Sequence, residues 1–276
     1  MSHQDNEQIL HILSLLLNRY ERLITKEQVD LVRESGVSEE RAFLLLLKEY
    51  CGLDSALFDA YFPKMVKRER AEEYRADAYY RTVHFPEATQ GKWRFGKGEY
   101  APYEVFVRDD FQREGEQVLP QIGYFSETFS YPAVWQGERL WMSVTPNEIN
   151  TAKPSLQRAH GRVLTSGLGL GYYAFMASNK ETVSSVTVVE REKDVISLFS
   201  RFLLPQFPHK EKIKLVEADC FDYLDCPNEP FDFVFGDLWH DVGDGLDLYL
   251  RMKEYEKKYP QAEFTYWIEK TMKEYL

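Results

Sequence analysis

The run from Gly161 to Phe175, GRVLTSGLGLGYYAF, constrains the fold of this chain more than any other stretch. Arg162 to Thr165 reads as a buried strand, Gly167, Gly169 and Gly171 as a turn, and the residues beyond as the start of a helix. Glycines at such a turn allow dihedrals closed to other residues and a close approach of backbone to ligand. N–H groups at the start of the following helix favour a carboxylate or phosphate. Three apolar runs follow. Ser184 to Val189 predicts a second strand, closed by Glu190. From Gly171 to Glu190 is about 20 residues, near the spacing at which an acidic residue takes ribose hydroxyls in a doubly wound sheet. A carboxylate can accept both hydrogen bonds of a vicinal diol. Ile213 to Val216 predicts a third strand, followed by Ala218, Asp219 and Cys220; Phe233 to Phe235 predicts a fourth, followed by Gly236 and Asp237. Each run is apolar with polar residues at its carboxyl end, where ligands bind in open α/β sheets. Singly, these features are explained by turn chemistry for the glycines, solvation beside Arg191 and Lys193 for Glu190, and helix capping for Asp219. Their recurrence at successive strand ends points to a nucleotide-type cofactor.

Composition narrows the partners. A net charge of −11 opposes sequence-independent nucleic-acid binding. The basic cluster Lys64, Lys67, Arg68, Arg70 and Arg75 is interleaved with Glu69, Glu72 and Glu73, which predicts a solvated helix face. Two short helices around Gly36 have the outline of a helix-turn-helix, but the second opens with Glu39 and Glu40, which phosphates repel. Cys51, Cys220 and Cys226 are too few and too scattered for a disulfide framework or a zinc site, so no metal is expected. There is no charged-then-apolar leader and no apolar run near the length of a membrane span, so a cytoplasmic protein with no membrane and no nucleic-acid partner is expected. The 15% aromatic content, 18 Tyr among it, fits a cleft with flat contact groups or a rich core.

The 276 residues divide by texture into a helical region (1–83), a small β-rich region (84–145) and a nucleotide-binding region (146–276). Residues 5–24 carry one apolar helical stripe. Thr25 and Gln28 form a capping box for a helix running to Gly36, Ser38 starts another that Gly52 ends, and a longer helical stretch is expected over about 54–82. In the β region Tyr103–Arg108 and Gln121–Phe125 read as strands, and Tyr131–Trp135 pairs with Arg139–Ser143 across Gln136-Gly137. The stretch after Asp237 suffices for a helix (about 245–258), a fifth strand (Glu263 to Ile268) and a final turn. A fifth strand at the rim is an exposed edge, to be shielded by the N-terminal helices or by the second subunit of a homodimer.

From about residue 145 to 270 the chain resembles the class I S-adenosylmethionine-dependent methyltransferases, and within them the branch that includes the spermidine synthases. The resemblance implies an α/β fold with a doubly wound, mostly parallel sheet of five strands, lacking the C-terminal hairpin of complete members. It implies S-adenosylmethionine as cofactor, with Gly167, Gly169 and Gly171 under its methionine part and Glu190 on the ribose diol. Asp219 would accept from the adenine amino group with Cys220 beside the ring, and Asp237 would face the methionine amino group or the substrate. Thr165 departs from the family, which often has an acidic residue there; Asp237, or Glu148 in TPNEIN, would supply the missing contact. A nicotinamide or flavin dinucleotide is the competing cofactor, but its sixth fingerprint position is Tyr172 here, too bulky for close approach to a pyrophosphate. In DLWHD, Asp237, His240 and Asp241 are the catalytic candidates, His240 as proton acceptor, with Trp239 able to stack on a flat or cationic substrate. The nucleic-acid amino-methyltransferase tetrapeptide is lacking, and the acceptor expected is an unidentified small molecule. Aminopropyl transfer, with Asp237 and Asp241 holding an amine, is the alternative. Against it, Asp241 is followed by Val242, Gly243, Asp244 and Gly245 instead of that family's Gly-Pro gate. Cofactor binding without catalysis also stays open.

Overall fold

The computed structural model describes residues 24–52 and 55–276, with His11, Ile12, Ser14 and Leu17; the helix expected over 5–24 lies for the most part outside the described residues. The strands are β1 (Val66–Arg68), β2 (Ala88–Gln90), β3 (Trp93–Tyr100), β4 (Phe106–Glu114), β5 (Gln117–Tyr124), β6 (Phe129–Gln136), β7 (Arg139–Ser143), β8 (Gly161–Ser166), β9 (Val183–Glu190), β10 (Ile213–Glu217), β11 (Phe233–Gly236) and β12 (Glu263–Tyr266). They form three sheets, of orders β1-β5-β4, β2-β3-β6-β7 and β10-β9-β8-β11-β12. The chain divides into two units, one of residues 1–74 with 99–130 and one of 75–98 with 131–276.

In the first unit, local chemistry sets the helix ends. Thr25 caps the helix Lys26–Arg33 and its N–H donates back to Gln28 (2.9 Å), a closed capping box. Ser38 accepts from the Arg41 N–H (3.2 Å) to open Glu39–Cys51, and Gly52 ends that helix in the left-handed conformation (φ 61°). Phe43 from this helix stacks on Tyr124 of β5 at 3.7 Å between ring centres, and Phe58 and Phe62 of the helix Ser55–Met65 join the same core.

The helical stretch expected over 54–82 is broken. Pro63 has no N–H to donate four residues back, the helix stops at Met65, and Val66–Arg68 pairs parallel with β5 before two short helices, Ala71–Arg75 and Ala78–Thr82. The interleaved charges are accordingly not one solvated face. Arg68 pairs with Glu39 and Glu40 (3.5 and 3.4 Å), and Glu69 is buried, accepting from Tyr74 (2.9 Å) and facing Arg108 (3.2 Å). Glu69→Ala takes the carboxylate away from a largely buried guanidinium. It should lower stability by about 3 kcal/mol, measured by urea unfolding, whereas Glu73→Ala, in an exposed i,i+3 pair, should change it by about 0.5 kcal/mol or less.

In the second unit β10, β9, β8, β11 and β12 are all parallel. Taken in chain order, the five strands lie third, second, first, fourth, fifth across the sheet. This mixed α/β, Rossmann-like arrangement reverses direction between β8 and β11, and ligands of such sheets bind at the carboxyl ends beside that reversal. Every strand of this sheet overlaps its predicted run; β12 ends at Tyr266, short of the expected Ile268: Trp267 N–H still donates across to the Gly236 carbonyl of β11 (3.0 Å), but Ile268 enters the left-handed region (φ 46°). The β6–β7 hairpin pairs Gln136 with Arg139 and turns through Gly137 at φ 61°. The helix Pro146–Arg158 follows β7 and delivers Glu148 in its first turn. Among the described residues no helix is long and apolar enough to cross a membrane.

Candidate functional site

The carboxyl ends of β8, β9 and β11, with the residues that follow β10, border a cavity of about 280 Å³ within the second unit. Its floor is the turn Gly167–Gly171, whose three glycines all have positive φ (85°, 49° and 72°). A Cβ on Gly167 would lie 2.3 Å from the carbonyl oxygen of Asp237, so the end of the neighbouring strand forbids a side chain there. Gly167 and Gly169 line the cavity; Gly171 stands behind it, against the Phe199 ring. Tyr172, the first residue of the helix Tyr172–Ser178, fills the sixth fingerprint position as a buried side chain donating to Asp77 (3.2 Å).

Glu190 leaves the end of β9 and reaches back to this turn. One oxygen accepts from the Leu168 N–H (2.9 Å), the other from the Glu192 N–H (2.8 Å). Burial raises its affinity for a proton, and the N–H donors of Glu192, Leu168 and Arg191 offset part of that rise. The carboxylate thus ties the second strand to the glycine turn and keeps lone pairs for a ligand. Asp219 caps the helix Cys220–Asp225, accepting from Phe221 and Asp222 N–H groups through one oxygen (2.8 and 3.3 Å). Capping and lining coexist, since Asp219 borders the cavity. Cys220 is buried, which pushes its thiol up to about 12 and makes it a neutral wall, not a nucleophile.

Glu148 and Asp237 form the electrostatic centre of the cavity. Burial, with no cation to offset it, lifts the Asp237 carboxyl to about 7. Burial also holds Glu148 well above the ordinary carboxylate range, and the charge of Asp237 adds to it. Two acids placed this way titrate as a pair, the charge on one opposing ionisation of the other. The Asp237 N–H donates to Ser166 Oγ (3.1 Å), which locks the ends of β11 and β8 together. Thr165, buried on β8, lines the cavity beside them.

His240 also lines the cavity. Its Nδ1 lies 2.9 Å from the Trp141 carbonyl, and its ring stacks on that indole at 6.0 Å. A carbonyl only accepts, so Nδ1 is the donor in this contact and Nε2 is left facing away from it. Asp241 is placed differently. It caps the helix Val242–Lys258, accepting from Gly243 and Asp244 N–H groups (2.6 and 3.3 Å), and lies outside the cavity lining, in a shallow exposed dip. The helix therefore starts at Val242, ahead of its predicted start near Gly245.

Sequence reasoning missed most of the aromatic wall. Of the five tryptophans, Trp93, Trp141, Trp239 and Trp267 line the cavity. Trp93 and Trp141 meet edge to face at 5.8 Å, and Trp267 donates to Thr151 (3.0 Å). The high aromatic content was the available signal, but tryptophans from β3, β7 and the end of β12 converge only in the fold. The lining holds five carboxylates (Glu148, Glu190, Glu192, Asp219 and Asp237) and, of Lys and Arg, only Arg191.

No family model matches the chain, and no curated protein matches it. Among solved structures, it is similar over 28% of its length to a conserved hypothetical protein of Streptococcus pyogenes, at 23% identity and a TM-score of 0.25, covering 47% of that chain. It is also similar over 37% of its length to a candidate O-methyltransferase from Klebsiella pneumoniae, at 19% identity and a TM-score of 0.30, covering 46% of that chain. The chain spans about half the length of either protein, and a likeness so partial carries no argument about what the cavity binds.

Proposed function

We propose that this chain is an S-adenosylmethionine-dependent methyltransferase acting on a small molecule. The observation that carries the proposal is the acidic pair at the sheet's reversal: Glu148 and Asp237 are held in the cavity with no cationic partner among the described residues. Two buried acids without a base are costly, and a ligand bearing a sulfonium and an ammonium compensates them. The remaining residues fit the same ligand. In this reading Glu190, held by two backbone donors at the end of β9, takes the ribose diol, and Asp219 and Cys220, which line the cavity after β10, take the purine. Thr165 in place of an acid is answered by Glu148 and Asp237 on the adjoining elements.

When bound, the cofactor supplies an activated methyl group. The chain's own residues align the acceptor, exclude water with the tryptophan wall, and receive a proton at His240 Nε2. Calorimetric titration with S-adenosylmethionine, S-adenosylhomocysteine and decarboxylated S-adenosylmethionine tests the reading. The first two should bind, and Glu190→Ala should weaken both by roughly 10- to 100-fold, the equivalent of about 1.5–3 kcal/mol for a hydrogen bond to a charged group. Preference for the decarboxylated form would favour aminopropyl transfer, and binding of none would sink the proposal.

A further inference from the structure

The stretch Thr145-Pro146-Asn147-Glu148 has the sequence of a capping box, a hydroxyl residue followed three positions later by Glu. Such boxes close elsewhere in the chain, at Thr25 with Gln28 and at Asp241 with Asp244. At the start of the helix Pro146–Arg158 neither bond of the box forms. The Thr145 hydroxyl caps nothing, and the Thr145 N–H, which Glu148 would hold in a closed box, donates to the Ser143 carbonyl (3.1 Å). Pro146 has no N–H. The Asn147 and Glu148 N–H groups are therefore the open donors of this turn, with no partner among the described residues. Both side chains of the unformed box line the cavity while withdrawn from bulk water, Thr145 at 5% exposure and Glu148 at 6%. Asn147 lines it with them. The 13-residue helix adds its positive end to these donors.

We propose that this open turn is a carboxylate site, in which the Asn147 and Glu148 N–H groups and the Thr145 hydroxyl hold the α-carboxylate of the cofactor. The proposal rests on the methyltransferase reading and goes beyond it, because it makes the chain select a cofactor that retains its carboxylate. Adjacency carries the argument. In an α-amino acid the ammonium and the carboxylate share one carbon, so their partners must be neighbours. The Glu148 side chain, with Asp237, offers the anion, and the backbone of Glu148 and Asn147 offers the donors. One helical turn thus meets both ends of the amino acid. A closed capping box would consume the same groups, the Thr145 hydroxyl on the Glu148 N–H and the Glu148 carboxylate on the Thr145 N–H. Leaving them open costs the free protein hydrogen bonds, which the amino-acid end of a ligand replaces. N–H groups at the start of a helix suit a carboxylate. The next donor, the Ile149 N–H, is already committed to the Thr145 carbonyl (3.1 Å).

The test compares S-adenosylhomocysteine with its decarboxylated analogue, S-adenosyl-3-thiopropylamine, by calorimetry on the parent protein, Thr145→Val and Thr145→Ser. S-adenosylhomocysteine should bind about 10-fold tighter than the analogue, or more. Net charge alone gives the opposite order, since the analogue is the more cationic ligand and the lining is acidic. Thr145→Val keeps the branched shape without the hydroxyl. It should weaken S-adenosylhomocysteine about 10-fold and leave the analogue unchanged, and Thr145→Ser should bind as the parent does. Because the hydroxyl caps nothing, Thr145→Val should leave the urea midpoint of the free protein where it was, whereas loss of a working cap lowers it. Equal affinity for the two ligands overturns the inference and leaves the methyltransferase reading standing. So does a Thr145→Val variant that weakens both ligands alike, weakens neither, or has a lowered midpoint. Preference for the analogue overturns the inference and favours aminopropyl transfer, and binding of neither ligand removes the inference together with the reading beneath it.

Discussion

Asp237→Asn should make the protein more stable above pH 7 while sharply weakening its affinity for S-adenosylhomocysteine. The Asp237 carboxyl, ordinarily at 3.8, sits at about 7 in the folded chain because it is held away from water. Between about pH 4 and pH 7 the unfolded chain releases this proton and the folded chain keeps it. The native state then binds more protons than the unfolded state, so stability falls as pH rises through that window and levels off above it. A rise of about three units corresponds to roughly 4 kcal/mol, and partial exposure of Asp237 to the cavity reduces this to roughly 2–3 kcal/mol. Asparagine has nearly the same shape and no charge to desolvate. Urea unfolding at pH 5 and pH 8 should show a pH slope in the parent protein that is much reduced in the variant. The same replacement removes a carboxylate facing the ligand's cation, a loss of about 2–3 kcal/mol or a 30- to 150-fold rise in Kd. In the parent protein, affinity should rise with pH up to about 7, because binding selects the ionised pair and releases a proton. Calorimetry in buffers of different ionisation heat counts that proton. If Asp237→Asn proves less stable at pH 8 and binds normally, the acidic pair is not the electrostatic centre described above.

Gly167→Ala should be the most damaging single-methyl change in the cavity floor. Two costs add. Its φ of 85° is strained for any L side chain, and the new Cβ would stand 2.3 Å from the Asp237 carbonyl oxygen, a backbone atom that cannot rotate aside. The ends of β8 and β11 would have to part, breaking the Ser166–Asp237 hydrogen bond. We expect a loss of about 3 kcal/mol or more together with loss of S-adenosylhomocysteine binding. Gly115→Ala supplies the comparison: φ is 64° but nothing lies within 4 Å of the added carbon. That variant should lose only about 1–2 kcal/mol and bind ligand normally. Equal losses in the two variants would mean that left-handed strain alone, not the closeness of the strands, makes Gly167 necessary.

The five parallel strands were legible because strands buried on both faces leave continuous apolar runs, and β8 to β12 each overlap one. The capping box at Thr25, the cap at Ser38 and the stop at Gly52 were legible because capping is local chemistry. Val66–Arg68 was not. So short a segment, with no apolar alternation, becomes a strand only because β5, far later in the chain, pairs with it. In the site, the glycines, Glu190, Asp219 and Asp237 stood beside recognisable strands, whereas the tryptophan wall has no sequence period at all. The adjacency of Glu148 and Asp237 and the orientation of His240 by Trp141 are tertiary facts. Asp241 shows the converse limit, since one DLWHD run contains a cavity carboxylate and a helix cap, and only the backbone direction separates them.

The division of the first unit into two chain segments has a consequence for synthesis. Phe43 is stacked on Tyr124, and Val66 is paired with Ile122, so each finds its partner only across a long stretch of intervening chain. At about 5–20 residues per second a ribosome needs roughly 4–16 s to pass from Phe43 to Tyr124. The helices that carry Phe43, Phe58 and Phe62 therefore emerge early and wait, with these rings uncovered, for a strand not yet made. The unit whose helices are made first is closed only when its residues 99–130 follow, which makes those waiting helices a surface for a chaperone acting at the ribosome to hold.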